Sequence, residues 1–184
     1  MNKYSDERKE VGTYGFKDQT TDLLKRLVSL DNYHKHIDAK QKLEKQGKKI
    51  LPVLYVLTHS KSDVIRKEAV KIIKVVGDRT SIPVAIKLLE DNDGDIRWIA
   101  AESLIHIGRQ SIRPLLQAIY NNPEAYFLRE GAHHVMAALI RDRDAKELKE
   151  LHRSLLNGEL LASMPLRISN ILNNPKIDLE KYPW

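Results

Sequence analysis

Apolar residues recur through the middle of the chain with a helical step that itself repeats. Ile65, Ala69, Ile72, Ile73 and Val76 stand at i, i+4, i+7, i+8 and i+11. The same spacing returns at Ile96, Ala100, Ser103, Leu104 and Ile107, and again at Leu128, Ala132, Val135, Met136 and Leu139. Each set is one stripe of an α-helix, and the alanine in second place allows another helix to approach closely. Ahead of each stripe lies a shorter stretch rich in Leu, Ile and Val, over residues 51–58, 82–91 and 112–120. Each of these carries a proline in its first turn, where the missing N–H breaks no helical bond; in mid-helix the ring would cost about 3 kcal/mol. Turn formers separate the halves: residues 60–63, Asn92-Asp93-Gly94-Asp95 and Asn121-Asn122-Pro123.

The unit is therefore helix, short turn, helix, and it is periodic. Pro52, Pro83 and Pro114 lie 31 residues apart, in step with Gly47, Gly77 and Gly108 and with Arg66, Arg97 and Arg129. A fixed period of this length marks an all-α chain built by stacking one supersecondary unit, an α-solenoid of about five helical pairs. The end pairs are predicted from weaker copies. Residues 21–30 and 36–47 form the first, with Leu23, Leu24, Leu27 and Val28 buried; Ala39 and Leu43 keep core positions while Lys42 and Gln46 make a polar outer face. Residues 145–156 and 159–173 form the last, with Pro165 kinking or restarting its second helix. Residues 1–19 have no periodic apolar face and are predicted to be a mobile arm, followed by a repeat domain over 20–173. A tail, 174–184, ends in Tyr182-Pro183-Trp184, an aromatic terminus expected to dock on its own protein.

At this point the chain resembles the HEAT-repeat family, in particular the short units first named for phycobilisome lyases. The matching text is SIPVAIKLLEDNDGDIRWIAAESLIHIG, residues 81–108, and the resemblance extends roughly over residues 20–172. It implies fold much more than function. In this family the second helix of each pair lines the concave surface. On that basis the exposed positions of those helices are Lys67, Lys71 and Val75, then Trp98, Glu102 and His106, then Glu130, His134 and Ala138. Trp98 stands out, because it lies off the apolar stripe and a partly exposed tryptophan is a common binding anchor. The resemblance also gives Arg66, Arg97 and Arg129 a structural role, linking neighbouring pairs through turn carboxylates such as Asp63, Asp91, Asp95 and Glu124.

Composition narrows the chemistry. The chain has no cysteine, hence no disulfide, thiolate metal site or cysteine nucleophile, and no apolar run long enough to span a membrane. Its N-terminus lacks the apolar core of a secretory signal, and a cytoplasmic protein is the simplest expectation. Residues 1–90 carry 19 basic against 12 acidic side chains and residues 91–184 carry 12 against 13, so the net charge of +6 sits in the first half. Such asymmetry draws acidic partners or nucleic acid, although lysine and glutamate are interspersed here as on any solvated helix face.

Two enzyme classes of similar fold set the alternatives. Deoxyhypusine hydroxylases bind iron through His-Glu pairs just after the equivalent arginine, where this chain has Lys67-Glu68, Trp98-Ile99 and Glu130-Gly131. No metal or other cofactor is expected. His133 and His134 point about 100° apart on a helix and make no two-ligand site by themselves. HEAT-like DNA glycosylases cradle a duplex in a basic groove, for which Trp98, Glu102, Lys67, Lys71 and Arg141 are available, but Glu68, Glu102 and Glu130 interrupt the cations such a groove needs. The sequence thus favours a non-catalytic scaffold that takes a protein or peptide on the second-helix face, with nucleic-acid binding as the alternative.

Overall fold

The computed structural model describes residues 5–29, 32–141 and 144–180. Among these are eleven α-helices, four short 3-10 segments and no strand, an α-solenoid built of helical pairs. None of the described helices is long and apolar enough to cross a membrane. Contacts divide the chain into two compact units, Met1–Val76 and Gly77–Trp184.

The first unit contains α1 (Ser5–Thr13), the pair α2 (Asp18–Leu27) and α3 (Tyr33–Glu44), and the pair α4 (Leu51–Leu57) and α5 (Asp63–Val76). α3 packs on α5, and the predicted stripe of Leu23, Leu24, Leu27 and Val28 is buried with Ala39 and Leu43. Asn32 starts α3 earlier than the apolar pattern indicates, because its side chain accepts from the Lys35 N–H and caps the helix. Leu30, the expected end of the helix before it, lies outside the described residues.

Within the arm predicted over residues 1–19, Ser5–Thr13 is a helix that packs on α2, and residues 1–4 lie outside the described residues. Its one buried apolar residue is Val11, and its acidic side chains reach far along the chain: Glu10 accepts from Ser60 Oγ, and Glu7 lies 3.5 Å from Ser62 Oγ. A helix anchored by one apolar side chain and hydrogen bonds to residues about fifty positions away leaves no periodic trace.

The second unit contains α6 (Ile82–Leu88), α7 (Gly94–Ile107), α8 (Ile112–Asn121), α9 (Tyr126–Leu139), α10 (Lys146–Ser154) and α11 (Met164–Leu172). α7 packs on α9 and α6 on α8, the parallel stacking of like helices that a repeat demands. Buried residues of α7 and α9 include Ile96, Ala100, Ser103, Leu104, Leu128, Ala132, Val135, Met136 and Leu139. α6 stops at Leu88, short of residue 91, because the amides of Leu89, Glu90 and Asp91 bond three residues back and tighten the last turn.

Gly47, Gly77 and Gly108 all take positive φ, at 56°, 60° and 90°. Each leads into a 3-10 segment (Gly47–Ile50, Arg79–Ser81, Arg109–Ser111) that opens the next first helix, and Pro52 and Pro83 occupy its first turn. The step is lost after α9. Ile140 ends that helix at φ −74°, ψ 140°, an extended conformation. The last pair then closes differently: α10 packs on α9, and α11 returns onto α8. Arg129 Nε donates to the Leu155 carbonyl and Arg113 Nη1 to that of Leu172, so each contact joins the start of one helix to the end of the other. Residues 158–163 form a 3-10 segment and Pro165 restarts the chain as α11, one of the two outcomes predicted for it.

A buried ion pair locks this closure. Arg109 is fully enclosed and forks onto both carboxylate oxygens of Asp144 at 2.8 Å, while also donating to the Leu139 and Asp178 carbonyls. Burial alone would raise the Asp144 carboxyl; the Arg109 hydrogen bonds, the Arg141 backbone N–H and the two arginine charges outweigh it and hold the group below its usual value. The bond to Asp178 also pins the tail, with Ile177 and Leu179 buried beside it. Tyr182-Pro183-Trp184 lies outside the described residues.

Two measurements follow from this packing. Removing one partner of a buried pair strands the other, so Asp144→Ala should destabilise the second unit by about 3 to 5 kcal/mol in urea unfolding, whereas Arg109→Met combined with Asp144→Leu removes the stranded charge but leaves the Leu139 and Asp178 carbonyls unpaired, and should recover only part of the loss. The second concerns His152 of α10, which stacks on His133 of α9 with ring centroids 4.3 Å apart. Burial, and then the charge of His133, lower its affinity for a proton. The unfolded chain therefore takes up a proton that the folded one resists as pH falls below 6.5, and stability drops in that direction. Thermal melts across that range should show the loss, and His152→Gln should flatten it.

Candidate partner-binding site

The start of each second helix is set by its recurrent arginine. Arg66 Nη1 donates to the carbonyls of Ser60 and Lys61, Arg97 Nη1 to those of Asp91 and Asn92, and Arg129 Nη1 to that of Pro123. These carbonyls lie at the turn that follows each first helix, where the chain lacks intrahelical donors. Arg97 and Arg129 reach the next pair as well, through different groups from the turn carboxylates the sequence predicts. Arg97 lies over the Phe127 ring, 3.9 Å from its centroid, and Arg129 bonds the Leu155 carbonyl.

With Arg97 fixed, the following residue turns outward. Trp98 is 57% exposed, as its place off the stripe predicts. The His134 ring packs against it from α9, centroids 4.4 Å apart and tilted by 34°. His134 Nε2 in turn bonds Glu102 Oε1 at 3.1 Å, so Glu102, His134 and Trp98 form a chain of contacts across α7 and α9. Beside Trp98 opens a pocket of about 220 Å³. Trp98 and Phe127 flank it, Ala101 and Gly131 form its floor, and Glu130 stands exposed at its rim.

The structure thus brings together Trp98, Glu102, Glu130 and His134 of the residues singled out from sequence. His106 is exposed further along α7 and does not line the pocket. Lys67 and Lys71 belong to α5 in the first unit, and both are half-buried. Lys71 is engaged: its ammonium donates to Glu68 Oε1 at 2.6 Å. Glu68 is 3% exposed, and its other oxygen lies 3.7 Å from His36, whose Nδ1 contacts the Leu27 carbonyl. That group ties the two helical pairs of the first unit together. Arg141 Nη1 turns back to the Ala138 carbonyl. His133 and His134 diverge as predicted, one to His152 and the other to Trp98. Among the described residues no three His, Asp or Glu side chains converge as a metal site.

Phe127 is the residue that sequence reasoning missed. Its equivalents in the two preceding repeats are Val64 and Asp95, so a large ring there is a departure from the repeat, and that departure was the available signal. Gly131 was missed too. A Cβ on it would stand 2.7 Å from Leu89 Cδ2 and 3.2 Å from two further Leu89 atoms. Alanine gains about 1 kcal/mol of helix propensity over glycine, but overpacking a filled core costs about 1 to 3 kcal/mol. Leu89 is fully buried, so the second effect should win. Gly131→Ala should therefore lower the melting temperature, and adding Leu89→Ala should remove the clash.

The family model for HEAT repeats matches residues 50–151, from the second helical pair into α10. No curated protein and no solved structure gives a significant match. The match ends within the helix that breaks the parallel stacking, as expected if the regular repeat stops where Ile140 replaces the turning glycine. Over most of its length the chain is built of the repeat that this family defines, and it belongs to the HEAT-repeat family.

Proposed function

We propose that this protein is a cytoplasmic, non-catalytic scaffold that captures a protein or peptide partner on the α7–α9 face of its second unit, with Trp98 as the anchor. HEAT repeats generally serve as protein-interaction scaffolds, which supports that class. The observation that carries the reading to this face is the exposure of three neighbouring aromatic side chains. Trp98, Phe127 and Tyr126 are 57%, 42% and 55% exposed, and the last two rings meet edge to face at 5.6 Å. The stacking of repeats does not bury them, and aromatic anchors on a rigid face are what partner surfaces concentrate.

Nucleic-acid binding has less support at this face. A groove that tracks phosphates needs a line of free cations. Here Glu102 and Glu130 border the aromatic surface, and the Arg97 guanidinium is turned onto two carbonyls and a ring.

The test is an affinity capture from source cells with tagged protein, divided into nuclease-treated and untreated halves and repeated with Trp98→Ala. A protein partner that survives nuclease and is lost with the tryptophan is the expected outcome. Because Trp98 projects into solvent, the variant should keep the parent's circular dichroism spectrum. Partners that depend on nucleic acid, or that Trp98→Ala retains, would count against the reading.

A further inference from the structure

The pocket beside Trp98 has a size, a wall chemistry and a charge, and together they specify more than a generic partner. This step rests on the peptide-capture reading above. A volume of about 220 Å³ is room for one large side chain, not for a folded element. The flanks are the Trp98 and Phe127 rings and the floor is Ala101 and Gly131, so the occupant's buried part is apolar. Gly131 puts no side chain into this floor, and a Cβ on it would meet the buried Leu89.

Charge decides what lies next to that side chain. Arg97 sits over Phe127, and its Nη1 is committed to the Asp91 and Asn92 carbonyls, so the cation is held in the wall. Glu102 already accepts from His134. Glu130 is exposed at the rim, and its carboxylate bonds no other described residue. The rim therefore presents a carboxylate that no described side chain bonds, beside an apolar slot whose wall holds the Arg97 charge. A cation inside the slot would sit against Arg97; a cation beside it would meet Glu130.

We propose that the Trp98–Phe127 pocket takes a single large apolar side chain from a peptide segment that carries a lysine or arginine next to it, paired with Glu130. Trp98 enters the complex preorganised, since His134 supports one face of the indole and Glu102 holds His134 in place. The apolar side chain supplies affinity and the basic residue supplies register, because an exposed ion pair adds little energy but discriminates against acidic neighbours.

Panning a library of short random peptides against the full chain, its Glu130→Gln variant and its Trp98→Ala variant tests this. Enrichment of a large apolar residue adjacent to Lys or Arg is expected. Trp98→Ala should weaken the selected peptides by about thirtyfold or more, the scale of a hot-spot residue. Glu130→Gln should weaken them by about threefold to fivefold, the scale of one exposed ion pair, with the loss shrinking in high salt. Peptides that depend on Trp98 but show no basic neighbour, and bind Glu130→Gln equally, would overturn the proposal and leave peptide capture standing. If no enriched peptide depends on Trp98, or a labelled oligonucleotide binds more tightly than any of them, both readings fail together.

Discussion

A guanidinium holding the main chain of a turn is the contact on which each repeat depends. A first helix of seven to ten residues is too short to be stable alone, and beyond its tightened last turn come carbonyls that lie outside any helical ladder. Arginine at the first turn of the second helix supplies two donors on one rigid fork, enough for neighbouring carbonyls at once. Arg97 does this for Asp91 and Asn92 at 2.8 and 3.2 Å, and Arg66 repeats it at Ser60 and Lys61. The bond fixes where the second helix begins and how it is rotated. Rotation in turn decides which side chains enter the stripe and which leave it, so the exposed position after the arginine is a consequence of the turn.

Within the second unit, the same logic explains why the array closes after α9. The positive-φ glycine sends the chain through a 3-10 turn into a new first helix. Ile140 cannot adopt that conformation cheaply, and the chain leaves α9 extended. α10 then lies against α9 and α11 against α8, which covers the apolar faces that a further repeat would have covered. The junction is irregular and leaves main-chain carbonyls without helical partners. Arg109 meets that need, bonding the Leu139 and Asp178 carbonyls while Asp144 balances its charge. A buried ion pair is a poor source of net stability, but this one fixes a single geometry where the repeat no longer does.

The repeat was legible because it is written in residues whose physics is local. Helical spacing placed α5, α7 and α9, proline marked the first turns, and glycine marked the ends of the units. What failed was long-range. α1 depends on Glu10 meeting Ser60, and the closure on Arg109 meeting Asp144, pairs 50 and 35 residues apart that no periodicity records. At the site, Trp98 was legible as a large residue off the stripe, whereas Phe127 was passed over beside a core leucine. The linkage expected between repeats through turn carboxylates ran for Arg97 and Arg129 through a ring and a carbonyl of the next pair.

The candidate site gains its character from departures from the repeat that are stacked on a regular frame. The position after the arginine is lysine in α5, tryptophan in α7 and glutamate in α9. Parallel packing of α7 and α9 brings the last two to one pocket, and Gly131 lets α9 approach Leu89 closely enough to shape its floor. Neither helix alone could make this surface. The frame supplies rigidity at little cost in binding entropy, and the deviations supply the aromatic walls and the free carboxylate. A repeat protein can thus acquire a specific site by changing a few outward-facing residues, while the stripe that holds the helices together stays as it was.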